Sequence, residues 1–389
     1  MRLRMAAVLA LLLTSCGADP APPTPPVDPL QPPRWTGSPA IPALMSGVDQ
    51  QAAGWDGGLV LARGTGGGPD GRDPEVYTSA DGRDWRAAVP ESGMRASSCC
   101  GRVVAGHGAA AYLLGWNSRE ELVVWRTEDG ERWTAAPLDL RDLGLKRSVD
   151  LEATITAGPD GVLVAAKDAY APPSFDGVYV WHSPEGRSFG AMARLPGQRD
   201  GQPLNFVVEA IGAGFLLGMS AGEGSTALFS SRDGTDWREA GAGPPGVGGI
   251  QHLSANGATV VAFPYPLSPS EPQVWHRRDG EWRPATLDPG RLPDAGVVPA
   301  DQRRVQLVRA WGAGFIAVGN TFGEEGQERA GMVWHSADGA SWSRMPVREH
   351  GFDAAWPLMD VAVSRQTATL FGYRSDPAEH LLTWQAQVP

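Results

Sequence analysis

Short apolar runs recur along this chain, separated by longer polar segments rich in glycine and other turn residues. Each run is about five residues long, which is typical of a buried strand and too short for a helix. The seven runs are GLVLA (58–62), AYLLG (111–115), GVLVA (161–165), GFLLG (214–218), TVVAF (259–263), GFIAV (314–318) and TLFGY (369–373). None approaches the ~18 apolar residues of a membrane-spanning helix. The pattern predicts an all-β chain built from repeated units.

A second pattern follows each of the first six runs, and its core is Ser/Thr-x-Asp-Gly-x-x-Trp after an aromatic residue. The copies, called boxes here, are YTSADGRDW (77–85), WRTEDGERW (125–133), WHSPEGRSF (181–189), FSSRDGTDW (229–237), WHRRDGEW (275–282) and WHSADGASW (334–342). Asp-Gly between apolar runs is a strong hairpin signal, because glycine takes a positive φ and aspartate binds its own backbone. The final aromatic ring can then pack against the neighbouring repeat.

We therefore predict a structural role for the acidic and aromatic positions of the boxes. These are Asp81 and Trp85, Asp129 and Trp133, Glu185 and Phe189, Asp233 and Trp237, Asp279 and Trp282, and Asp338 and Trp342. Box three departs from the pattern with Glu185 and Phe189, and box five has Arg277 in the Ser/Thr position and is one residue short before Trp282. The final rings recur at intervals of roughly 45 to 60 residues, a spacing typical of propellers and solenoids.

The boxes resemble the Asp-box, or bacterial neuraminidase repeat, of the sialidase-like and sortilin-like propellers. The resemblance covers nearly the whole chain after residue 33. It implies a β-propeller in which each box lies on the hairpin between the third and fourth strands of a blade, on the face away from the ligand site. It implies little about function, since proteins of this fold perform unrelated tasks.

The blade count follows from the two ends of the repeated region. The seventh run leads into LLTWQAQVP (381–389), where the sequence stops before a box is complete. At the other end, RWTGSP (34–39) resembles RWTAAP (132–137), the strand that follows box two. We expect the N-terminal strand to join the last blade and close the ring, which removes open sheet edges. The prediction is a seven-bladed propeller over residues 34–389, with a six-bladed ring and an irregular end as the alternative.

The N-terminal residues have the layout of an export signal. MRLRMAAVLALLLTSC (1–16) places two arginines before a short apolar stretch, and Leu13-Thr14-Ser15-Cys16 resembles a bacterial lipobox. We expect residues 1–15 to be a signal peptide and residues 16–33 to be a lipidated Cys16 with a proline-rich tether. Such a tether spans about 50 Å at ~3.1 Å per residue. The protein would then be extracytoplasmic and bound to the membrane through this lipid, whereas an ordinary secretion signal with an incidental cysteine is the alternative.

Charge and cysteine content narrow the function classes. The net charge is −11 and no basic tract occurs, so we expect no nucleic-acid partner. Cys99 and Cys100 are adjacent, and an oxidising compartment would favour a strained disulfide between them. Two free thiols, or links to another chain, are the alternatives.

Candidate ligand residues lie where the innermost strand of each blade begins, because ligands of propellers usually bind at the channel face. They are Asp49, Gln50, Arg102, Glu152, Asn205, Gln251, Gln306 and Asp360. The guanidinium of Arg102 would suit a carboxylate ligand. The alternative is that these side chains bind water or form a structural network. No histidine or cysteine spacing resembles a zinc site, and we predict no cofactor and no metal; a calcium ion bound in a loop is the alternative.

Two hypotheses about function remain. The resemblance to sialidases implies three arginines for a substrate carboxylate and a tyrosine nucleophile with a glutamate partner, and the sequence shows no such set. The leading prediction is a monomeric, non-enzymatic binding or assembly module for a protein or glycan of the cell envelope. Aromatic residues of the loops, such as Trp116, Tyr170 and Trp356, could contact that partner, and packing between blades is the alternative for them. A sialidase-like glycoside hydrolase is the alternative.

Overall fold

The computed structural model describes the seven repeated units as strands and turns. The described residues are 34–41, 50–63, 75–88, 90, 95–96, 102–141, 151–168, 177–196, 203–221, 225–264, 274–288, 291–292, 296–297, 303–322, 328–345, 351–352, 358–365, 367–374 and 380–387. Nearly all the regular structure in them is β-strand.

The strands are numbered in chain order. They are β1 (Thr36–Ile41), β2 (Gln50–Trp55), β3 (Gly58–Arg63), β4 (Glu75–Ser79), β5 (Arg86–Ala87), β6 (Arg95–Ala96), β7 (Val104–His107), β8 (Ala110–Trp116), β9 (Leu122–Thr127), β10 (Thr134–Pro137), β11 (Leu151–Gly158), β12 (Gly161–Asp168), β13 (Gly177–Ser183), β14 (Ala193–Pro196), β15 (Pro203–Ile211) and β16 (Gly214–Ala221).

The second half continues the same alternation. Its strands are β17 (Ser225–Ser231), β18 (Arg238–Ala242), β19 (Ile250–Asn256), β20 (Thr259–Pro264), β21 (Trp275–Arg278), β22 (Glu281–Pro284), β23 (Thr286–Leu287), β24 (Arg291–Leu292), β25 (Gly296–Val297), β26 (Arg303–Trp311), β27 (Gly314–Phe322), β28 (Glu328–Ser336), β29 (Ser341–Arg344), β30 (Leu358–Val363), β31 (Thr367–Arg374) and β32 (His380–Gln387).

Most of these strands form seven antiparallel blades, whose strands are called A to D from the channel outward, while β24 and β25 pair with each other in a separate two-stranded sheet. Five blades have simple meander order: β2–β5, β11–β14, β15–β18, β19–β22 and β26–β29. Blade two consists of β7–β10 with the short β6 added on β8, and blade six carries β23 beside β29. Blade seven takes β30, β31 and β32 from the C-terminal end of the chain and β1 from the N-terminal end.

Ring closure by the N-terminal strand is therefore confirmed. Strand β1 pairs antiparallel with β32, with Thr36 opposite Gln385 and Gly37 opposite Trp384. Trp35 is buried beside this pairing, and its ring centroid lies 5.9 Å from that of Phe352. Within the described strands the ring has seven blades, and the six-bladed alternative is wrong.

The apolar runs fill the spaces between blades. Every residue of β3 and β8 is buried, because a B strand is covered by a blade on each side. In one interblade cluster, Val60 and Val76 of blade one pack with Val104 and Leu113 of blade two. The outer strands are different: β18 has no buried residue. Burial is thus complete in these B strands and lost in the outermost strand, which explains why the sequence signal was strongest at the B strands.

The box turns share one pattern of hydrogen bonds in four blades. Asp81 accepts hydrogen bonds from the backbone N–H groups of Arg83 and Asp84 at 2.8 and 2.9 Å, and the hydroxyl of Ser79 accepts one from Gly82 N–H. Equivalent carboxylate bonds at 2.8 to 3.0 Å are made by Asp129, Asp233 and Asp338. Hydrogen bonds from the backbone, above all, lower the pKa of Asp81.

Boxes three and five differ from that pattern. Box five, being one residue short, is a two-residue turn in which Asp279 and Gly280 have φ of 56° and 88°, and Arg278 pairs with Glu281. In box three, Glu185 makes no backbone hydrogen bond of this kind among the described residues. There Gly190 N–H donates to the carbonyl of His182 instead. The missing residue and the longer carboxylate explain the two departures.

Each typical box also contacts the blade before it. A methyl group added to Gly339 would lie 2.7 Å from a side-chain carbon of Val261 in blade five, and the Trp342 ring lies 5.4 Å from Phe263. Across the ring closure, Gln385 donates to the backbone carbonyl of Asp81. The six boxes therefore define one face of the ring, called the box face. Since Thr36 pairs with Gln385, the chain enters the propeller at that face.

Candidate functional site

The A strands surround a central channel that contains two cavities. The cavity where these strands begin, on the face opposite the boxes, is called the mouth cavity and has a volume of about 350 Å³. Its polar and charged lining residues are Gln50, Gln51, Arg102, Glu152, Thr154, Asn205, Gln251, His252, Gln306, Arg309 and Asp360. The volume falls within the range of small-molecule sites.

The second cavity lies at the box-face end of the channel and has a volume of about 310 Å³. Small residues form most of its wall, for a steric reason. A methyl group added to Gly54 would lie 2.5 Å from the carbonyl oxygen of Val363, and one added to Gly106 would lie 2.3 Å from that of Gly54. The A strands thus approach one another closely here, and the small residues serve packing.

Four charged side chains cross the channel between the two cavities. Arg102 and Arg309 line both cavities, Glu209 lines the second cavity and Asp360 lines the mouth cavity; these four are called the charge belt. Arg102 Nη1 lies 3.4 Å from Glu209 Oε2, and Arg309 Nη2 lies 3.7 Å from Asp360 Oδ1. Both contacts are longer than a usual charged hydrogen bond. The belt closes the floor of the mouth cavity with charges that balance.

Burial controls the protonation of the belt. It raises the pKa of Glu209, and the positive charges of Arg102 and Arg309 oppose that rise. Burial, aided by the nearby positive charge of Arg102, lowers the pKa of Arg309 to about 10. Arg309 is still protonated at neutral pH, because a pKa of about 10 lies well above it. Two guanidinium groups therefore share the channel axis.

Asp360 is held by the backbone rather than directed at a ligand. Its Oδ2 accepts a 2.6 Å hydrogen bond from Ala52 N–H of blade one, and its Oδ1 accepts one at 2.7 Å from Val361 N–H. Burial raises the pKa of Asp360, while Arg309 and the Ala52 N–H lower it. These contacts join blade seven to blade one, as the structural alternative for Asp360 predicts.

Another ion pair borders the mouth cavity, whose wall includes Glu152. Lys167 Nζ lies 2.9 Å from Glu152 Oε2, and both side chains are mostly buried. The same Nζ lies 6.0 Å from the centre of the Phe206 ring. The negative charge of Glu152 is therefore balanced by Lys167, and the same ammonium group covers the face of the Phe206 ring.

Five carboxamide side chains lie around the mouth cavity, and they differ in their partners. Gln51 accepts a hydrogen bond from Val103 N–H, and Asn205 donates one to the carbonyl of Ile250. Gln50 is only 6% exposed, and its Oε1 has no hydrogen-bond partner among the described residues. The remaining two, Gln251 and Gln306, are half-buried and make no side-chain hydrogen bond within the same part of the chain.

The structure brings seven of the eight predicted ligand positions to one cavity. Asp49 lies outside the described residues, as do Cys16, Cys99 and Cys100 with their predicted lipid and disulfide. Sequence reasoning missed Glu209, Arg309 and Lys167. A signal for the first two existed in the similar segments VVEAIGAGF (207–215) and LVRAWGAGF (307–315). Glu209 and Arg309 occupy matching positions in them, each three residues before the first glycine of the turn.

Aromatic residues contribute little to this site. Trp116 is 2% exposed within an interblade cluster, so of the two interpretations the structure supports packing between blades and not exposure to a partner. Tyr170, Tyr265 and Trp356 lie outside the described residues. The four tyrosines inside them line neither cavity: Tyr77, Tyr112, Tyr179 and Tyr373.

Two structural features are absent from the described residues. In that part of the chain no three histidine, cysteine or acidic side chains are arranged to hold a metal ion. No helix found there has the length and hydrophobicity needed to cross a membrane.

Comparisons with known proteins support the fold. No protein-family model matches the sequence, and no curated protein sequence matches it either. The structure of YCF48 bound to D1 peptide is similar over 92% of this chain and 96% of that one, with 12% identity and a TM-score of 0.50. The β-propeller domain of the Trilobed protease from Pyrococcus furiosus is similar over 92% and 98%, with 10% identity and a TM-score of 0.51.

An enzyme is among the similar structures. The acylaminoacyl peptidase of Pyrococcus horikoshii is similar over 85% of this chain, with 9% identity and a TM-score of 0.51. This chain spans about half of that enzyme, at 51% of its length. At such low identities the comparisons show that the chain is a β-propeller, and the site alone must support a function.

Proposed function

We propose that this protein is an exported, lipid-anchored β-propeller that binds a protein or glycan of the cell envelope without catalysing a reaction. The observation that carries the proposal is the mouth cavity, where half-buried carboxamides and two guanidinium groups converge from different blades. A structural channel needs no such variety, as the small residues at its other end illustrate.

Hydrogen-bonding capacity that the protein leaves unused supports binding. A buried acceptor without a partner costs roughly 1–3 kcal/mol. Gln50 Oε1 is such an acceptor within the described structure, and Gln50 is one of the residues that line the mouth cavity. A ligand that donates a hydrogen bond to this oxygen recovers that free energy on binding.

The place where the chain enters the ring is compatible with a tether. The proline-rich segment of residues 16–33 precedes β1, and β1 begins at the box face. A lipid on Cys16 would therefore attach the protein from the face opposite the mouth cavity. The cavity would then stay accessible to a partner while the protein is anchored.

A similar propeller shows that the fold can hold a peptide, since the YCF48 structure is bound to a D1 peptide. For this chain a peptide is one candidate and a glycan the other. The sialidase-like alternative has less support, because the described mouth cavity contains two arginines instead of three and no tyrosine. Each arginine also has a carboxylate partner already.

The test uses a photoreactive amino acid placed at the mouth in the full-length protein in its native membranes. Gln306 is replaced in one variant, and Arg232 on the box face is replaced in the control. We expect the photoreactive residue at position 306 to cross-link a protein or a glycan, and the one at position 232 to cross-link neither. Equal capture from both positions, or none, would contradict the proposal.

Two accompanying measurements address anchoring and catalysis. Replacing Cys16 with serine should release the protein from the membrane fraction, and retention would contradict the lipid anchor. Fluorogenic glycosides, including a sialoside, should not be turned over by the folded protein. Turnover that disappears on Arg102→Ala would establish the hydrolase alternative instead.

A further inference from the structure

The charges around the mouth cavity cancel within the described residues. Each of three cations has a carboxylate partner, in the pairs Arg102–Glu209 at 3.4 Å, Arg309–Asp360 at 3.7 Å and Lys167–Glu152 at 2.9 Å. A charged ligand would lose its hydration on entering and find no net opposite charge in return. The cavity is therefore suited to an uncharged ligand.

The hydrogen-bonding groups of the cavity require a ligand that both donates and accepts. Gln50 Oε1 is a buried acceptor without a partner in the described structure, so it needs a donor. The guanidinium of Arg102 has five N–H donors, and one of them has an acceptor among the described side chains, Glu209. A hydroxyl group satisfies both needs, because it carries one donor and two acceptor lone pairs.

The shape of the cavity selects a compact end group. Its volume of about 350 Å³ is near the lower limit of ligand sites. Its floor is the charge belt, where Arg102 and Arg309 line both this cavity and the second one. An extended polymer cannot pass through the described channel, and a free peptide end would bring a charge that the site does not balance.

We propose that the mouth cavity binds a terminal, uncharged sugar residue of an envelope glycan. Its hydroxyl groups donate to Gln50 Oε1 and accept from Arg102, with Gln251 and Gln306 completing the contacts at the rim. This inference rests on the proposed binding function and narrows it to one ligand class. It also separates the protein from a sialic acid site, which must hold a carboxylate.

The ring of Phe206 gives no stacking platform, since it is 8% exposed and Lys167 lies over it. Binding must therefore depend on hydrogen bonds, and a free monosaccharide should bind weakly, with a Kd of about 1 mM. A multivalent array raises such weak binding to a detectable level.

The experiment starts with the full-length protein, purified in mild detergent, on an array of neutral, sialylated and uronic-acid glycans. Methyl glycosides of the neutral hits are then titrated by saturation-transfer NMR. We expect binding to neutral terminal sugars. Between 50 and 500 mM NaCl the Kd should change less than about two-fold, because screening acts on charged ligands.

The same substitution, glutamine to leucine, is made at the mouth cavity and on the box face, so the two variants are matched in their chemistry. Gln50→Leu removes the unpaired acceptor at nearly constant volume, so affinity should fall about ten-fold or more while Tm stays the same or rises. Gln385→Leu removes the hydrogen bond to the Asp81 carbonyl on the box face. There Tm should fall while the sugar affinity stays unchanged.

Several results would overturn the inference: binding confined to acidic glycans with a steep salt dependence, full affinity in Gln50→Leu, or no glycan bound by the folded protein. The cross-linking experiment separates this failure from failure of the proposed function. A protein captured from Gln306 with an empty glycan array would leave the binding module intact and exclude the sugar. No glycan bound on the array and no partner cross-linked at position 306 would exclude both the sugar ligand and the proposed binding function.

Discussion

The box face and the mouth of the channel differ in how much the blades agree with one another. On the box face, Asp81 of blade one and Asp338 of blade six each accept hydrogen bonds from the backbone N–H groups two and three residues further along the chain. At the mouth, matching ends of the A strands carry glutamine in one blade and arginine, glutamate or asparagine in others.

The difference reflects two physical demands. Every blade must pack on its neighbour, so the same turn and the same packing aromatic ring are useful in every copy. A site on the ring axis is different, because one ligand touches all seven A strands at once and needs a different group from each. Agreement among repeats therefore indicates structure here, and disagreement indicates recognition.

The largest effect on stability is expected in the charge belt. Glu209→Leu would leave Arg102 and Arg309 in the channel with one carboxylate between them. Breaking a buried ion pair in this way typically costs 3–5 kcal/mol, and the partial exposure of Arg102, 24%, reduces the expected loss to about 3 kcal/mol. Chemical denaturation of the variant measures it.

A double variant tests the cause of that loss. Arg102→Met combined with Glu209→Leu removes both charges of one pair, and it should be more stable than Glu209→Leu alone. A double variant that is less stable than the single one would show that packing around Glu209, and not the unpaired charge, produces the effect.

The next largest effect distinguishes a typical box from an atypical one. Gly339 and Gly280 both have positive φ, at 77° and 88°. An added methyl group meets Val261 at 2.7 Å from Gly339, whereas it meets nothing within 4 Å from Gly280. We expect Gly339→Ala to cost about 2–3 kcal/mol and Gly280→Ala about 1 kcal/mol. Equal losses in thermal unfolding would mean that box glycines serve the backbone conformation alone.

A smaller effect is expected from the box carboxylates. Asp81→Ala removes two backbone hydrogen bonds and should cost about 1–2 kcal/mol, whereas Glu185→Ala should cost almost nothing because Glu185 makes no such bonds in the described turn. Urea unfolding of both variants at pH 7 makes the comparison. A loss in Glu185→Ala as large as that in Asp81→Ala would contradict it.

The same pair of variants has a pH dependence of known sign. Since backbone hydrogen bonds lower the folded-state pKa of Asp81, its carboxylate stabilises the fold above its unfolded pKa of about 3.9. That contribution is lost as pH falls through the lower folded pKa. The stability difference between the wild type and Asp81→Ala should therefore be full at pH 6 and shrink below about pH 4.

The smallest effect on stability is expected at the rim of the mouth. Gln251→Ala and Gln306→Ala remove side chains that make no hydrogen bond within the described residues, so unfolding free energy should change by less than about 0.5 kcal/mol. The mouth residues would then serve binding without stabilising the fold, whereas the boxes stabilise the fold without serving binding. Losses above 1 kcal/mol would assign these glutamines a structural role.

The sequence predicted the repeated parts of this fold well. The spacing between Trp35 and Trp85 matches the repeat, and it led to the correct closure of the ring by β1. Box five could also have been foreseen as different, because a turn with one residue fewer cannot place Asp279 as the others place their aspartates. Repetition makes such comparisons possible within a single chain.

The channel was harder to predict. Aligning the starts of the A strands found Gln50 and Arg102, yet Glu209 and Arg309 lie near the far ends of β15 and β26. Whether a residue that far along a tilted strand faces the axis depends on the twist of its blade, which the sequence does not state. Nor did the sequence show that Asp360 is held by the Ala52 N–H of the next blade.

The closing strand has a mechanical consequence. If residues 16–33 hold the protein to a membrane and a partner pulls on the mouth, the load enters the ring at the box-face end of β1 and leaves at the opposite face. Such a force runs along β1, so it shears the pairing with β32 and loads its hydrogen bonds together instead of peeling them one after another. A ring closed by its own tethered strand would thus resist tension at the place where an unfastened ring would open.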